Sequence, residues 1–365
     1  MDMTLPRRIR HLLTGLLSIS AVAAVTPARA DIIGLAAPLS GSSSLLGQQL
    51  RTGTEAAAKT ITDRPITLDV QDDLCTAEGG TAAAQRFVEA KADIVIGFLC
   101  TDAINAAMPI LSQAGIPVLT PGVRINSLTD TREKTGWPIY RIAPRDDAEE
   151  QALATLLLPL WREALFAIVD DGTIYGRNLA ESFRAAAEAT GLKPVFVDTY
   201  RPQLENQVGL IGRLKRAGAT HVFVGGDRED VAIMGRDAKQ IDYDLILAGG
   251  EALRAATVNT TPAVGTLMIA PPDWSTEATT ETLLQLRSAN IEPDGYVMPS
   301  YAAIEIAAKA IADAKAKGEP PRSIIDTETF STAIGTIRFS EKGDLAANLY
   351  RLYRFDGSQF VGLNP

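Results

Sequence analysis

Short apolar runs alternate with longer alanine-rich segments of helical period through the first 250 residues, and that alternation restricts the fold more than any other feature of the chain. The runs cover 32–36, 66–70, 94–98, 118–120, 165–169, 195–197, 222–224 and 245–248. Between them lie expected helices at 47–59, 80–90, 102–113, 148–158, 175–190, 208–217 and 228–239. Strands alternating with helices specify an α/β fold with parallel sheets, and runs apolar on both faces fit sheets covered by helices on each side. At Tyr140-Arg141-Ile142-Ala143-Pro144 the count restarts with a fresh strand-helix series, so two sheets with separate cores are expected. From Asp273 onward the pattern is helical at 276–288, 301–317 and 324–334, with a surface loop at 315–322. The chain closes on a hairpin that turns at Asp356-Gly357.

The N-terminus reads as a secretory signal. Arg7, Arg8 and Arg10 precede an apolar run from Leu12 to Val25 that ends in Ala28-Arg29-Ala30, so residues 1–30 are expected to be removed and the mature chain to start at Asp31. The run is shorter than the roughly 20 residues a membrane-spanning helix needs. Arg10 falls where a twin-arginine signal wants an apolar residue, which favours the ordinary secretory route. Four Arg and one Asp leave with the segment, taking the net charge from -9 to -12. Such a surface argues against nucleic acid or an anionic membrane as partner. A chain of this length makes two domains of ordinary size.

Cys75 and Cys100 are the only cysteines. In an oxidising compartment an even pair reads first as a disulfide, which across a loop of about 25 residues contributes roughly 3 to 4 kcal/mol. No metal site is expected, because the two histidines are His11, lost with the signal, and His221. No cofactor is expected either. His221 opens the run His221-Val222-Phe223-Val224-Gly225-Gly226, and the first residue of a parallel strand is the wrong end for chemistry. No G-x-S-x-G elbow, Walker loop or G-x-G-x-x-G fingerprint occurs. Asp170 and Asp171 are adjacent on an extended segment and point to opposite faces, so they cannot easily flank one bond. No catalytic residue is expected, and the chain does not read as an enzyme.

Five motifs follow in order: Asp72-Asp73-Leu74-Cys75, Gly97-Phe98-Leu99-Cys100-Thr101, Tyr140-Arg141, Tyr175-Gly176 and Gly249-Gly250-Glu251. With them the mature chain, from Ala37-Pro38-Leu39-Ser40-Gly41 to Glu341-Lys342-Gly343-Asp344-Leu345, resembles the type I periplasmic binding proteins of the Leu/Ile/Val-binding group. The resemblance implies two Rossmann-like lobes joined by a hinge that the chain crosses three times. It would place residues 31–142 with 276–345 in lobe I, and 143–275 with 346–365 in lobe II. A ligand in the cleft that touches both lobes stabilises the closed form, which a membrane permease can recognise.

The resemblance also implies ligand positions. Thr101 opens a helix after a strand, where backbone N–H groups and the helix dipole favour a carboxylate. It could equally be an N-cap, as could Asp102, whose negative charge competes for the same positive end. Pro121-Gly122-Val123-Arg124 matches the second ligand loop. Gly122 can offer its carbonyl there, but Arg124 stands where relatives carry a hydroxyl, and a guanidinium suits a carboxylate and repels an ammonium. Arg124 could instead sit at the solvent-facing rim. Tyr175 matches a tyrosine that packs on the ligand, or it fills the core. Glu251 matches the acid that pairs with a ligand ammonium, or it is a solvated loop carboxylate. Leu46 replaces an aromatic before Gly47, and Asp227 and Arg228 stand near the cleft as rim contacts.

These residues predict a periplasmic, monomeric binding component of an ABC importer that takes an amino acid or related small carboxylate. An organic, even aromatic, acid held by Arg124 is the alternative within binding proteins. A ligand-sensing subunit for a membrane receptor is the alternative outside transport.

Overall fold

The computed structural model describes Met1 and residues 30–363; the expected signal segment falls almost wholly outside the described residues. Two sheets organise the chain. The first holds β1 (Asp31–Ala37), β2 (Ile66–Asp72), β3 (Ile94–Gly97), β4 (Val118–Thr120) and β5 (Ile139–Arg141), parallel throughout, in the order β2-β1-β3-β4-β5. The second holds β6 (Phe166–Asp170), β7 (Phe196–Thr199), β8 (His221–Gly225), β9 (Ile246–Gly249) and β10 (Leu267–Ala270), parallel in the order β10-β9-β8-β6-β7. A separate hairpin pairs β11 (Thr329–Thr332) with β12 (Gly335–Arg338). The last strands, β13 (Arg351–Phe355) and β14 (Phe360–Gly362), extend the second sheet antiparallel past β10.

Each sheet carries an apolar core on both faces, as strands of continuous hydrophobicity require. The helices α1 (Ser44–Ala58), α2 (Ala77–Ala90) and α3 (Thr101–Gln113) cover the first sheet. The later helix Val297–Lys317 returns to it, and Met298, Tyr301 and Ile304 join Ile33 and Leu35 in one core. Gly53 permits that return: a Cβ there would stand 2.0 Å from the Val297 carbonyl oxygen. The chain therefore passes between the sheets three times: after β5, after β10 and before β13.

One expected element changes type. The helix anticipated at 324–334 ends at Thr327, and β11 follows with the burial alternation of a half-covered strand. Phe330 is buried between exposed Thr329 and Ser331, a period of two that a helical reading misses. The loop expected at 315–322 is shorter, since the long helix continues to Lys317 and the next begins at Pro321. Strands β5 and β10 were not anticipated as strands. The terminal turn falls at Asp356-Gly357 as expected, with Asp356 Oδ1 accepting from the Ser358 and Gln359 N–H groups at 2.8 and 2.9 Å.

Candidate ligand-binding site

In a parallel sheet, loops after consecutive strands collect at one edge, and a crevice opens where the strand order reverses. In the first sheet the reversal lies between β1 and β3, in the second between β6 and β8. Leu46, Thr101, Gly122 and Arg124 follow β1, β3 and β4 at this edge of one sheet, and Tyr175 and Glu251 follow β6 and β9 at the matching edge of the other.

Cys75 and Cys100 are joined as a disulfide, with Cα atoms 5.2 Å apart. The bond ties the loop after β2 to the start of α3. Leu74, Cys75 and Phe98 all adopt left-handed backbone (φ 53°, 58° and 60°), an uncommon conformation for such residues that this tie helps hold. Asp73 is buried beside the bridge and accepts from the Cys75 N–H at 2.9 Å; burial pushes its carboxyl up to about 6. Cys100 is the N-cap of α3 and makes no side-chain capping bond, so neither Thr101 nor Asp102 is the cap. Thr101 is half-buried and, among the described residues, makes no side-chain hydrogen bond.

Thr120 shapes the next loop. Its hydroxyl donates to the Phe98 carbonyl at 3.1 Å and accepts from the Val123 N–H at 3.3 Å. Val123 is 2 % exposed with its side chain packed in the core, and its carbonyl accepts from Arg141 at 3.3 Å. Gly122 lies against Leu99 and Tyr296. Leu46 is 41 % exposed in the first turn of α1.

Arg124 does not face solvent unpartnered. Its Nη1 lies 3.1 Å from Glu251 Oε1, its Nη2 donates to the Tyr350 hydroxyl at 2.6 Å, and that hydroxyl donates to Glu251 Oε2. Nε lies 4.0 Å from Asp146 and is buried without a hydrogen bond. Glu251, expected to await an ammonium, thus holds a guanidinium from the other sheet's edge, and the solvated-loop alternative falls away. On its far side Glu149 Oε1 accepts from the Glu251 N–H at 2.5 Å and from the Tyr175 hydroxyl at 2.9 Å. Burial, then the nearby Glu251 charge, holds the Glu149 carboxyl up at about 7. Burial and then Glu149 push the Tyr175 phenol upward too, keeping it a neutral donor. A cavity of about 500 Å³ opens here, lined by Tyr175, Glu251, Ala252, Arg254, Ala255 and Pro271. A larger one, about 1180 Å³, runs along the β13–β14 edge and holds neither Arg124 nor Glu251, so volume alone does not mark the site.

Three of the anticipated residues, Arg124, Tyr175 and Glu251, are thereby joined in one network, while no hydrogen bond or ion pair joins Leu46 or Thr101 to it among the described residues. Glu149 and Tyr350 were missed. Tyr350 sits in the third crossing, where Asn348 takes its N–H at 3.0 Å and donates to the Ala148 carbonyl of the first crossing at 2.7 Å. Asp170 and Asp171 hold local turns, accepting from the Gly172 and Thr173 N–H groups at 2.9 Å. His221 bonds Thr220 and packs on Trp161, far from this chemistry. No group of three or more His, Cys, Asp or Glu that could hold a metal ion occurs among the described residues.

A model described as periplasmic binding protein matches residues 32–359. The chain belongs to the periplasmic binding protein family. That family is one of binding proteins, not of enzymes. As a periplasmic binding protein the chain is similar to Leu/Ile/Val-binding protein homolog 3 of Brucella melitensis, at 28% identity over 92% of this chain and 94% of that one. Its fold matches an ABC transporter substrate-binding protein of Desulfitobacterium hafniense in complex with Leu, with a TM-score of 0.62 and 23% identity over 92% of this chain and all of that one. It also matches an ABC transporter solute-binding protein of R. palustris in complex with benzoate, with a TM-score of 0.58 and 18% identity over 92% and 96%. The α/β architecture with two parallel-rich sheets matches type I periplasmic binding protein structures.

Proposed function

We propose that this periplasmic binding protein is the substrate-binding component of an ABC importer, and that it takes an α-amino acid between two lobes, 31–142 with 276–345 and 143–275 with 346–365. The observation that carries the reading is the pairing of Arg124 with Glu251, opposite charges that come from the edges of different sheets. A zwitterion can replace each partner by a group of the same sign: its carboxylate takes the place of Glu251 at Arg124, and its ammonium takes the place of Arg124 at Glu251. Neither protein charge is then left alone when the lobes close, which matters because an unpaired buried charge costs several kcal/mol. Thr101 and the α3 N-terminus add donors for the carboxylate, Gly122 a carbonyl for the ammonium, and Tyr175 and Leu46 apolar surface. Relatives named for Leu, Ile and Val, and the Leu complex, agree with this ligand class. Export through residues 1–30 to the periplasm, a monomeric state and docking on a membrane permease belong to the same proposal.

An amine-less organic acid is the second reading. It is favoured by the Tyr350 hydroxyl and Arg124 standing together as donors, and by the benzoate complex of a structural relative. A sensing role at a receptor would use the same cleft. The test is calorimetric titration of refolded, ligand-stripped protein with L-leucine, other α-amino acids and benzoate. Binding of amino acids that is lost in Glu251→Ala supports the first reading. Binding of benzoate alone, lost in Arg124→Ala and kept in Glu251→Ala, replaces it with the second.

A further inference from the structure

Glu149 lies outside every motif that marks the site, yet its carboxylate is where the site's hydrogen bonds meet. It is the second residue of the helix Ala148–Ala152, on the first crossing between the sheets, and only 4 % of it is exposed. One oxygen, Oε1, receives both the Tyr175 hydroxyl and the Glu251 N–H. Gly250 makes the approach possible, since a Cβ there would stand 2.2 Å from that oxygen and 2.5 Å from the Tyr175 hydroxyl. The charged and titratable groups that face it are Tyr175 from the helix Ile174–Ala189, Glu251 from the turn after β9, Arg124 from the loop after β4 and Tyr350 from the third crossing. Strand β10 contributes only apolar residues. Its neighbour Glu150 is engaged elsewhere, by Ser182.

Resting on the reading of Arg124 and Glu251 as the ligand's partners, we propose that Glu149 is a positioning residue that exchanges a proton with solvent when a ligand's charge reaches that pair. Oε1 can hold Tyr175 and the Glu251 backbone in either protonation state, because the proton can reside on Oε2. Near pH 7 the free protein therefore carries a mixture of the two forms. A zwitterion's ammonium takes the place of Arg124 at Glu251, so the charge around Glu149 changes little and little proton is exchanged. An amine-less carboxylate that draws Arg124 away leaves the Glu251 charge uncompensated beside Glu149, and a proton is taken up. The size of the exchange thus reports the chemical class of the ligand. If binding of such an acid moves the midpoint from about 7 to about 8, roughly 0.4 proton is taken up at pH 7 and affinity falls about fivefold between pH 6 and pH 8.

Glu149→Gln keeps an acceptor oxygen and removes the exchange, which makes it the variant to use. Carbon-13 NMR of the glutamate side-chain carboxyls, on ligand-free protein, should show one resonance with a midpoint near 7 that is missing in the variant. Absence of any such glutamate between pH 6 and 8, or its persistence in the variant, overturns the proposal. Calorimetry with L-leucine and with benzoate, in buffers of different ionisation enthalpy, should give uptake with benzoate and little exchange with L-leucine, and no uptake in Glu149→Gln. Benzoate binding without uptake, L-leucine binding with a comparable exchange, or equal uptake in the variant sinks the role of Glu149 while leaving the ligand site intact. Failure of both probes and of a wider amino-acid and organic-acid panel to bind sinks the ligand site, and the positioning role with it.

Discussion

Arg141 and Arg124 each reach a carboxylate far away in sequence, but their surroundings differ. Arg141 is fully buried; its Nε and Nη2 lie 2.8 and 2.6 Å from Asp344 Oδ1, its Nη1 reaches the Ile125 carbonyl at 2.7 Å, and Thr129 and Arg145 complete the cluster. Each nitrogen of that guanidinium has a protein acceptor. Arg124 and Glu251 keep 32% and 30% of their side chains exposed, and the Arg124 Nε has no acceptor. Both clusters join strand ends to crossing segments with the same residue types. What separates the two clusters is complete satisfaction away from water in one, and partial exposure with one nitrogen left without an acceptor in the other.

Breaking the Arg141 cluster should give the largest effect. Arg141→Ala removes the buried guanidinium that bonds Asp344 and the Val123 and Ile125 carbonyls, leaving Asp344 only Arg145 and Thr129, and urea unfolding should show a loss of about 3 to 5 kcal/mol. A loss below about 1 kcal/mol would erase the contrast. The disulfide belongs with that cluster: Cys75→Ser with Cys100→Ser should lower stability by about 3 kcal/mol, read from the same unfolding curves in oxidising buffer.

Glu149 stands between the two kinds of cluster, buried like Arg141 but bonded to the exposed pair. Its carboxyl is held above the ordinary glutamate value by burial and by Glu251, so the folded chain loses stability as pH rises from about 4.5 through about 7. Glu149→Gln escapes that loss. Its thermal melts should match the parent below pH 4.5 and exceed it at pH 8, by roughly 1 to 3 kcal/mol. An equal gain at both pH values would assign the effect to packing instead of charge.

Arg124→Ala should alter stability least, by under about 1 kcal/mol, because a pair this exposed gains little from being made. Its affinity for the bound ligand should nonetheless fall at least about tenfold, or about 1.4 kcal/mol. A large stability loss without an affinity loss would move Arg124 into the same class as Arg141.

The sequence made the frame legible where strands are apolar on both faces, as at Ile94–Gly97 and within His221–Gly225. It failed at β11, where burial alternates over four residues and the apolar count also suits a helix. It failed at β10 because no α-helix separates that strand from β9, only the short turn Glu251–Arg254, so the alternation carries no signal there. Thr101, Tyr175 and Glu251 could be placed because a residue just past a parallel strand has a predictable position. Glu149 could not, since it looks like one more acid in a helix's first turn and its partner Glu251 is 102 residues away. The Arg124–Glu251 pairing, across 127 residues, was equally invisible to local pattern. Val123 is legible only by position: it follows β4 in the loop the sequence singles out, while the packing of its side chain in the core depends on residues distant in the chain.

The Cys75–Cys100 bond gives the corner between β2 and α3 a chemical clock. In a reducing environment that corner has only its non-covalent contacts. Under oxidising conditions a two-electron step closes the loop, and the left-handed turns at Leu74, Cys75 and Phe98 are set together. The start of α3 is then firm only after that step, so protein made without the oxidation should hold this end of the helix more loosely.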